Sequence, residues 1–508
     1  MELINQLYYI MKNYLLLLLS ISLLLFSCKK NDELINDSQD NQKQQEPSRL
    51  LNSVEIEAAI DQSFQEKNSF NWKEASNQLI WSAAIEGQQV LSIGYGDKSE
   101  SFSLDRSTTL IALKEEIIEL VMQIEELPRK EILLYEDAVL NYIDLKVSKL
   151  ETIEALRNLE RIRYIEPTAY ELTENGETKS ASGCSTSSES ISSSDYGTLS
   201  TGAKIPWNFY DHKIEQAWAY SKGSGITVGV IDTGVSQYQP NMSYKFDDYY
   251  SNRYIHKYGT YVDSWKWWAT NTDGSHDKCG HGTSACSAIG SPNNSNYAPV
   301  GVAYECNLVS YRGTSDVLLN GYHERRGVKN ALIQLANRSD VKIISMSIGY
   351  PWSIGIIEDA VEYAYYKNKM IFAAGGTSTA ATNWYPVIFP ASMSETIAVT
   401  GVEEQSSYDE CDVCHTGSQI DFTFVMERSN NHHQPVSGYY SNSSRYFGGS
   451  SVATASTAGI AALVWSKYPS WSRSQVLNRL KSSAYFYPSQ HSDFGYGNIN
   501  ALKAVRGW

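Results

Sequence analysis

The chain has no excess of positive charge. Its 42 lysines and arginines stand against 57 aspartates and glutamates, for a net charge of -15. A basic patch of the kind that marks nucleic-acid binding is therefore not expected. No internal repeat is visible. The one apolar run near the start, Leu15 to Phe26, falls short of what a membrane-spanning helix needs. Cysteine is scarce, with seven in 508 residues, and no group of cysteines and histidines has a recognisable zinc spacing. His276, Cys279 and His281 come nearest and do not form one. What remains is a chain long enough for one large core and a smaller domain beside it.

Three short blocks in fixed order carry the chemistry. In GITVGVIDTG the β-branched run Ile226, Val228, Val230 and Ile231 reads as a buried strand, and Thr233-Gly234 stop it. Asp232 then sits at the carboxyl end of a strand, where open α/β sheets build their sites. In CGHGTSACSAIG the glycines Gly280 and Gly282 flank His281, so the ring can stand at the start of a helix suggested by Thr283 to Ile289. In GGSSVATASTAGIAALVW, Gly448 and Gly449 lead into Ser451, and a small-residue helix follows. A hydroxyl at a helix amino terminus lies beside free N–H groups that favour negative charge on an attacked carbonyl oxygen. Acid, base and nucleophile are all supplied.

The order and wording of these blocks resemble the subtilisin-like serine peptidases, the subtilases, whose motifs read roughly DTG, HGTH and GTSMATP. VKIISMSIG, YPVIFPASMSETIAVTGV and FGYGNINALKAV extend the likeness from about Ile205 to the end. The resemblance implies a doubly wound, mostly parallel α/β/α sandwich over residues 205–508, with Asp232, His281 and Ser451 as catalytic residues, no catalytic cofactor, and protein or peptide substrates.

Several positions depart from the family pattern. AAGGTSTAATNW places Gly376 where the family carries an asparagine that donates to the oxyanion. Asn383, Ser378 and Thr377 are the candidates to replace that donor. The second histidine of HGTH is Ser284, the residue before the nucleophile is Ser450, and Ala455-Ser456 follows in place of Pro-His. The loop SPNNSNYAPVGVA resembles the family's structural calcium loop, with Asn294 as the best-matched ligand. Asn241 stands where an aspartate usually helps, which weakens a site for a hard cation.

Residues 1–28 read as an export signal. LLFSC ahead of a polar stretch resembles a bacterial lipoprotein signal with Cys28 as the lipidated residue; an ordinary cleaved signal peptide is the alternative. Residues 29–49 are a charged, amide-rich tether. Residues 50–172 are expected to form a small α+β domain. VLNYIDLKVSKLETIEALRNLERIRYIEPTAYEL spells a strand, a helix with a Ser148-x-x-Glu151 capping box, and a strand from Ile162, with Leu150, Ile153, Leu156 and Leu159 on one helix face. Its place ahead of a subtilase-like region resembles that of an inhibitory propeptide. Residues 173–204, rich in Ser, Thr and Gly, are expected to be a flexible linker holding the maturation site.

Setting Cys28 aside leaves Cys184, Cys279, Cys286, Cys306, Cys411 and Cys414, enough for up to three disulfides in an oxidising compartment. Cys184 makes the number even, which places cleavage before it. Cys411-Asp-Val-Cys414-His415 also matches the attachment pattern of c-type haem, although a disulfide suits its setting better. KFDDYYSNRYIHKYGTYVDSWKWWATNTDG, between the first two blocks, is rich in Tyr and Trp and can either pack onto the core or form a binding surface.

Together these features imply an exported, monomeric serine endopeptidase made as a zymogen. The competing expectation is a catalytically weak or inactive surface binding protein that uses the Tyr/Trp-rich loop. Hydrolysis of a non-peptide ester is a third.

Overall fold

The computed structural model describes residues 49–98, 100, 102–174, 177–178, 183–248, 252–377, 386–404 and 408–507. The export signal, Cys28, the tether through residue 48, Ser378 and Asn383 lie outside the described residues.

The amino-terminal region builds an antiparallel four-stranded sheet from β1 (Val90–Tyr95), β2 (Leu133–Glu136), β3 (Tyr142–Lys146) and β4 (Ile162–Glu166), in the order β2-β3-β1-β4. Every residue of β1 is buried, as befits a central strand. Helices Ser53–Lys67, Asn77–Glu86, Thr108–Glu125 and Leu150–Arg157 belong to the same region. Asn52, Ser76 and Ser107 accept backbone N–H groups at the starts of the first three. The fourth begins differently from the expected capping box. Ser148 donates its hydroxyl to Glu125 at 2.5 Å, and the Glu125 carboxylate also accepts the Ser148 and Lys149 N–H groups and the Thr152 hydroxyl. A carboxylate from another helix thus caps this one, and on the helix itself Ile153 and Leu156 are fully buried.

The larger sheet has seven strands, all parallel: β5 (Thr227–Asp232), β6 (Ile255–Gly259), β7 (Asn307–Arg312), β8 (Val341–Met346), β9 (Met370–Ala374), β10 (Ile397–Glu403) and β11 (Phe422–Glu427). Their order is β6-β7-β5-β8-β9-β10-β11, so the winding reverses between β5 and β8. The carboxyl ends of strands beside such a reversal are where a doubly wound sheet opens a crevice, and Asp232 closes β5. Edge strand β6 lies inside the Tyr/Trp-rich stretch. The long helix Gly449–Lys467, buried over almost its whole length, packs against β8, β9, β10 and β11.

The two sheets belong to one compact unit. Helices Tyr322–Asn337 and Gly355–Tyr366 of the larger domain meet the smaller one through one apolar cluster that includes Phe70, Trp72, Tyr350 and Trp352. Charges are buried there as well. Lys329 pairs with Asp137 at 2.5 Å, Arg163 with Asp359, and the Tyr322 hydroxyl donates to Asp144 at 2.8 Å.

From Gly183 on, the stretch expected to be a flexible linker lies against the larger domain. Tyr196–Thr198 pairs with Lys204–Pro206, and Cys184 is bonded to Cys279. Cys411 pairs with Cys414, while Cys286 and Cys306 are free thiols in the core. Two disulfides therefore stand among the described residues where up to three were expected, and Cys286 and Cys306 are left unpaired.

Candidate active site

Three separate elements bring Asp232, His281 and Ser451 together. Asp232 ends β5, His281 is the first residue of helix His281–Gly290, and Ser451 lies in the first turn of helix Gly449–Lys467. Nδ1 of His281 is 2.8 Å from Oδ1 and 3.0 Å from Oδ2 of Asp232, and Nε2 is 3.0 Å from the Ser451 hydroxyl oxygen. A carboxylate only accepts, so the proton in the first contact sits on Nδ1, and Nε2 is left to accept the Ser451 hydroxyl. Phe447 presses its ring edge to face against the imidazole.

The backbone before His281 must turn sharply. Gly280 has φ +91, and a Cβ there would come within 2.3 Å of the Ser185 carbonyl oxygen. The turn is held by a residue that the motifs did not single out. The buried Asp277 carboxylate accepts the N–H groups of Cys279, Gly280 and Thr283 and the hydroxyls of Thr283 and Thr233. Thr233 in turn accepts the Gly282 N–H. One carboxylate thus ties the start of the histidine helix to the loop beyond Asp232. The sequence signal was present as an aspartate four residues ahead of His281, where short loops use carboxylates to collect free N–H groups.

The cleft at Ser451 is lined by Ser347, Ile348, Gly349, Ala374 and Thr377, so the SMSIG and AAGG segments do border it. Thr377 accepts the Ser450 N–H at 3.1 Å, and Ser450 accepts the Gly376 N–H at 3.2 Å. Arg445 also reaches the cleft, which the sequence reading missed.

The chain's own linker reaches this cleft, where Gly183 lines it beside the His281 ring. Asn320, two residues past the cleft-lining Leu318, exchanges two hydrogen bonds with the Leu172 backbone.

Around the loop that resembles a calcium site, the donors do not suit a hard cation. Asn241 Oδ1 accepts the amides of Asn294 and Asn296, and Asn294 Oδ1 accepts the Asn296 N–H. The Lys245 ammonium donates to Asn296 Oδ1 at 3.0 Å. These amide oxygens already have N–H partners, among the described residues no carboxylate is hydrogen-bonded into the group, and an ammonium brings the positive charge. Among the described residues no group of three or more His, Cys, Asp and Glu could hold a metal.

The Tyr/Trp-rich stretch divides its roles. Trp267 packs against the cluster of Val90, Ala169 and Tyr322, whereas Trp265 and Trp268 are exposed.

Residues 223–497 match the subtilase family. The chain belongs to the subtilase family. It is 28% identical to subtilisin DY of Bacillus licheniformis over 303 residues, covering 57% of this chain and 94% of that one. It is 24% identical to the M-protease of Shouchella clausii over 446 residues, covering 85% of this chain and 95% of that one. Among solved structures, fervidolysin from Fervidobacterium pennivorans, a keratinolytic enzyme related to subtilisin, superposes with a TM-score of 0.57 at 17% identity. That likeness covers 83% of this chain and 61% of fervidolysin and shows a shared fold. As a subtilase the chain is a serine-type peptidase, a hydrolase that needs no cofactor for its chemistry.

Proposed function

We propose that the protein is an exported serine endopeptidase made as a zymogen, with Asp232, His281 and Ser451 as its catalytic residues and residues 50–172 as its propeptide. The observation that carries this reading is the unbroken hydrogen-bonded line from Asp232 through His281 to Ser451, set in a cleft that Gly183 of the chain's own linker helps to line.

In this reading His281 takes the Ser451 proton as the hydroxyl oxygen attacks a peptide carbonyl, then returns it to the leaving amine. Asp232 holds the imidazole with its proton on Nδ1 and stabilises the imidazolium. The developing oxyanion is met by the Ser451 N–H at the start of helix Gly449–Lys467. Gly376 adds no side-chain donor, and the absence of one such donor lowers turnover by roughly a hundredfold to a thousandfold.

Maturation cuts between 172 and 184. Residues 1–28 direct export, and a lipid on Cys28 stays with the propeptide, so the mature enzyme can leave the membrane as a monomer.

The test is intact mass and amino-terminal sequencing of the chain, expressed without its signal, beside Ser451→Ala. The expected result is cleavage between 172 and 184 in the wild type alone. Two uncut chains that also fail to turn over a peptide anilide would overturn the proposal.

A further inference from the structure

The segment that follows the maturation site is fixed to the catalytic domain independently of the propeptide. Cys184 is bonded to Cys279, two residues before His281. The Ser185 carbonyl accepts from Arg445 Nη1 at 2.5 Å and lies against Gly280. The Glu189 N–H donates to the Ser444 carbonyl at 2.8 Å, and the Ser192 N–H donates to the Tyr446 hydroxyl at 3.0 Å. The chain from Gly183 to Ser192 thus runs from His281 along the strand Ser444–Phe447 that leads to Ser451.

Of this segment Gly183 lines the cleft itself, between the Val317 side chain and the Cδ2 edge of the His281 ring; His281 protonates the leaving amine in the mechanism above, so a leaving group that extends along this edge of the ring meets Gly183. Cleavage frees the propeptide from Leu172 but leaves this segment covalently attached.

We propose that in the mature enzyme Gly183–Glu189 remains in the leaving-group half of the cleft and selects substrates with little chain beyond the scissile bond. The inference rests on the zymogen reading above. The new amino terminus acts as a tethered competitor: a compact leaving group fits beside it, while a longer peptide must displace it from Arg445 and Ser444. A tethered competitor acts at high effective concentration, so longer substrates lose affinity on that side.

The experiment compares mature wild type with Cys184→Ser, which removes the tether, and with Glu189→Pro, which removes the N–H given to Ser444 and keeps the disulfide. Each is assayed on a peptide p-nitroanilide and on the same peptide continued by four residues past the scissile bond. Either variant is expected to raise kcat/KM for the long substrate about tenfold through KM, with the anilide changed less than twofold. Should Cys184→Ser fail to fold, Glu189→Pro carries the comparison. An unchanged ratio of long substrate to anilide in a variant that turns over the anilide overturns this inference alone. Absence of both self-cleavage and anilide turnover in the wild type overturns it together with the peptidase proposal.

Discussion

The imidazole of His415 occupies the space that a side chain on residue 376 would need. A Cβ on Gly376 would fall 2.4 Å from His415 Nδ1, and Gly376 has φ +127, in the region that favours glycine. His415 is fixed there by its N–H to the Gly376 carbonyl, by Nδ1 against the Pro386 carbonyl, and by the neighbouring Cys411–Cys414 disulfide. The loss of the family's asparagine and the presence of the CxxCH hairpin are thus one packing arrangement.

Restoring the asparagine alone should fail. Gly376→Asn forces a side chain into the ring and is expected to destabilise by about 1 to 3 kcal/mol, as overpacked cores do, with no gain in kcat. Gly376→Asn with His415→Ala should recover part of that stability. Thermal unfolding and kcat on a peptide anilide check both, and a single variant as stable as wild type contradicts the packing argument.

Asp277 offers a second test. Its carboxylate spreads five accepted hydrogen bonds over two oxygens, whereas an asparagine side chain in its place would present one oxygen and an N–H group facing donors. Asp277→Asn should destabilise by on the order of 3 kcal/mol and lower kcat more than it raises KM, because the start of the histidine helix loosens while the substrate-lining residues stay. A change confined to KM would place Asp277 outside the positioning of His281.

Much of the site was legible because its signals are local. The β-branched run into Thr233-Gly234 announces a strand and its end, and glycines beside His281 and Ser451 announce tight helix starts. What was not legible depends on distant partners. Glu125 captures Ser148 from 23 positions away, so the local capping pattern misleads. Edge strand Ile255–Gly259 alternates half-buried and exposed residues, a pattern easily lost among aromatics. Cys184 and Cys279 are 95 residues apart, and nothing local distinguishes their pairing from the others. The order in residues 183–204 likewise comes from contacts with Arg445, Ser444 and Tyr446, not from the Ser/Thr-rich composition.

Lys245 leads to a prediction about cations. Because its ammonium supplies positive charge among Asn241, Asn294 and Asn296, a calcium chelator should leave the unfolding temperature unchanged. Lys245→Ala, which removes one charge-assisted hydrogen bond, should lower it by about 2 °C. A drop of many degrees in chelator would show that a bound cation stabilises the fold elsewhere.

The two free thiols should be inert in the native protein. Cys286 and Cys306 are fully buried, and burial pushes the Cys306 thiol up to about 11 and the Cys286 thiol higher still. A thiolate is the reactive form. In a chain that starts after Cys28, alkylation without reductant should label neither residue when folded and two residues after unfolding. Labelling of the folded protein, or of none after unfolding, would contradict the pairing.

Glu166 links the association of the two domains to pH. Its carboxyl accepts the Gly355 N–H at 2.8 Å across the interface, and burial, with smaller help from Glu358 and Asp359 and opposition from that N–H and Arg325, raises it from 4.5 to about 8. The folded pKa is the higher one, so the assembled form binds the proton more tightly than the separated or unfolded form. The stability this gives is complete below about pH 4.5 and is lost progressively as pH rises towards about 8. Across that window one bound proton changes the equilibrium by at most about tenfold per pH unit. In uncut Ser451→Ala protein, Glu166→Gln should match its parent at pH 5 and unfold at a higher temperature at pH 8, since glutamine keeps an acceptor for Gly355 without a charge. Because other groups titrate in the same range, the deciding quantity is the difference between the two proteins; if it does not grow with pH, Glu166 is not the group that couples the contact of the smaller domain to pH.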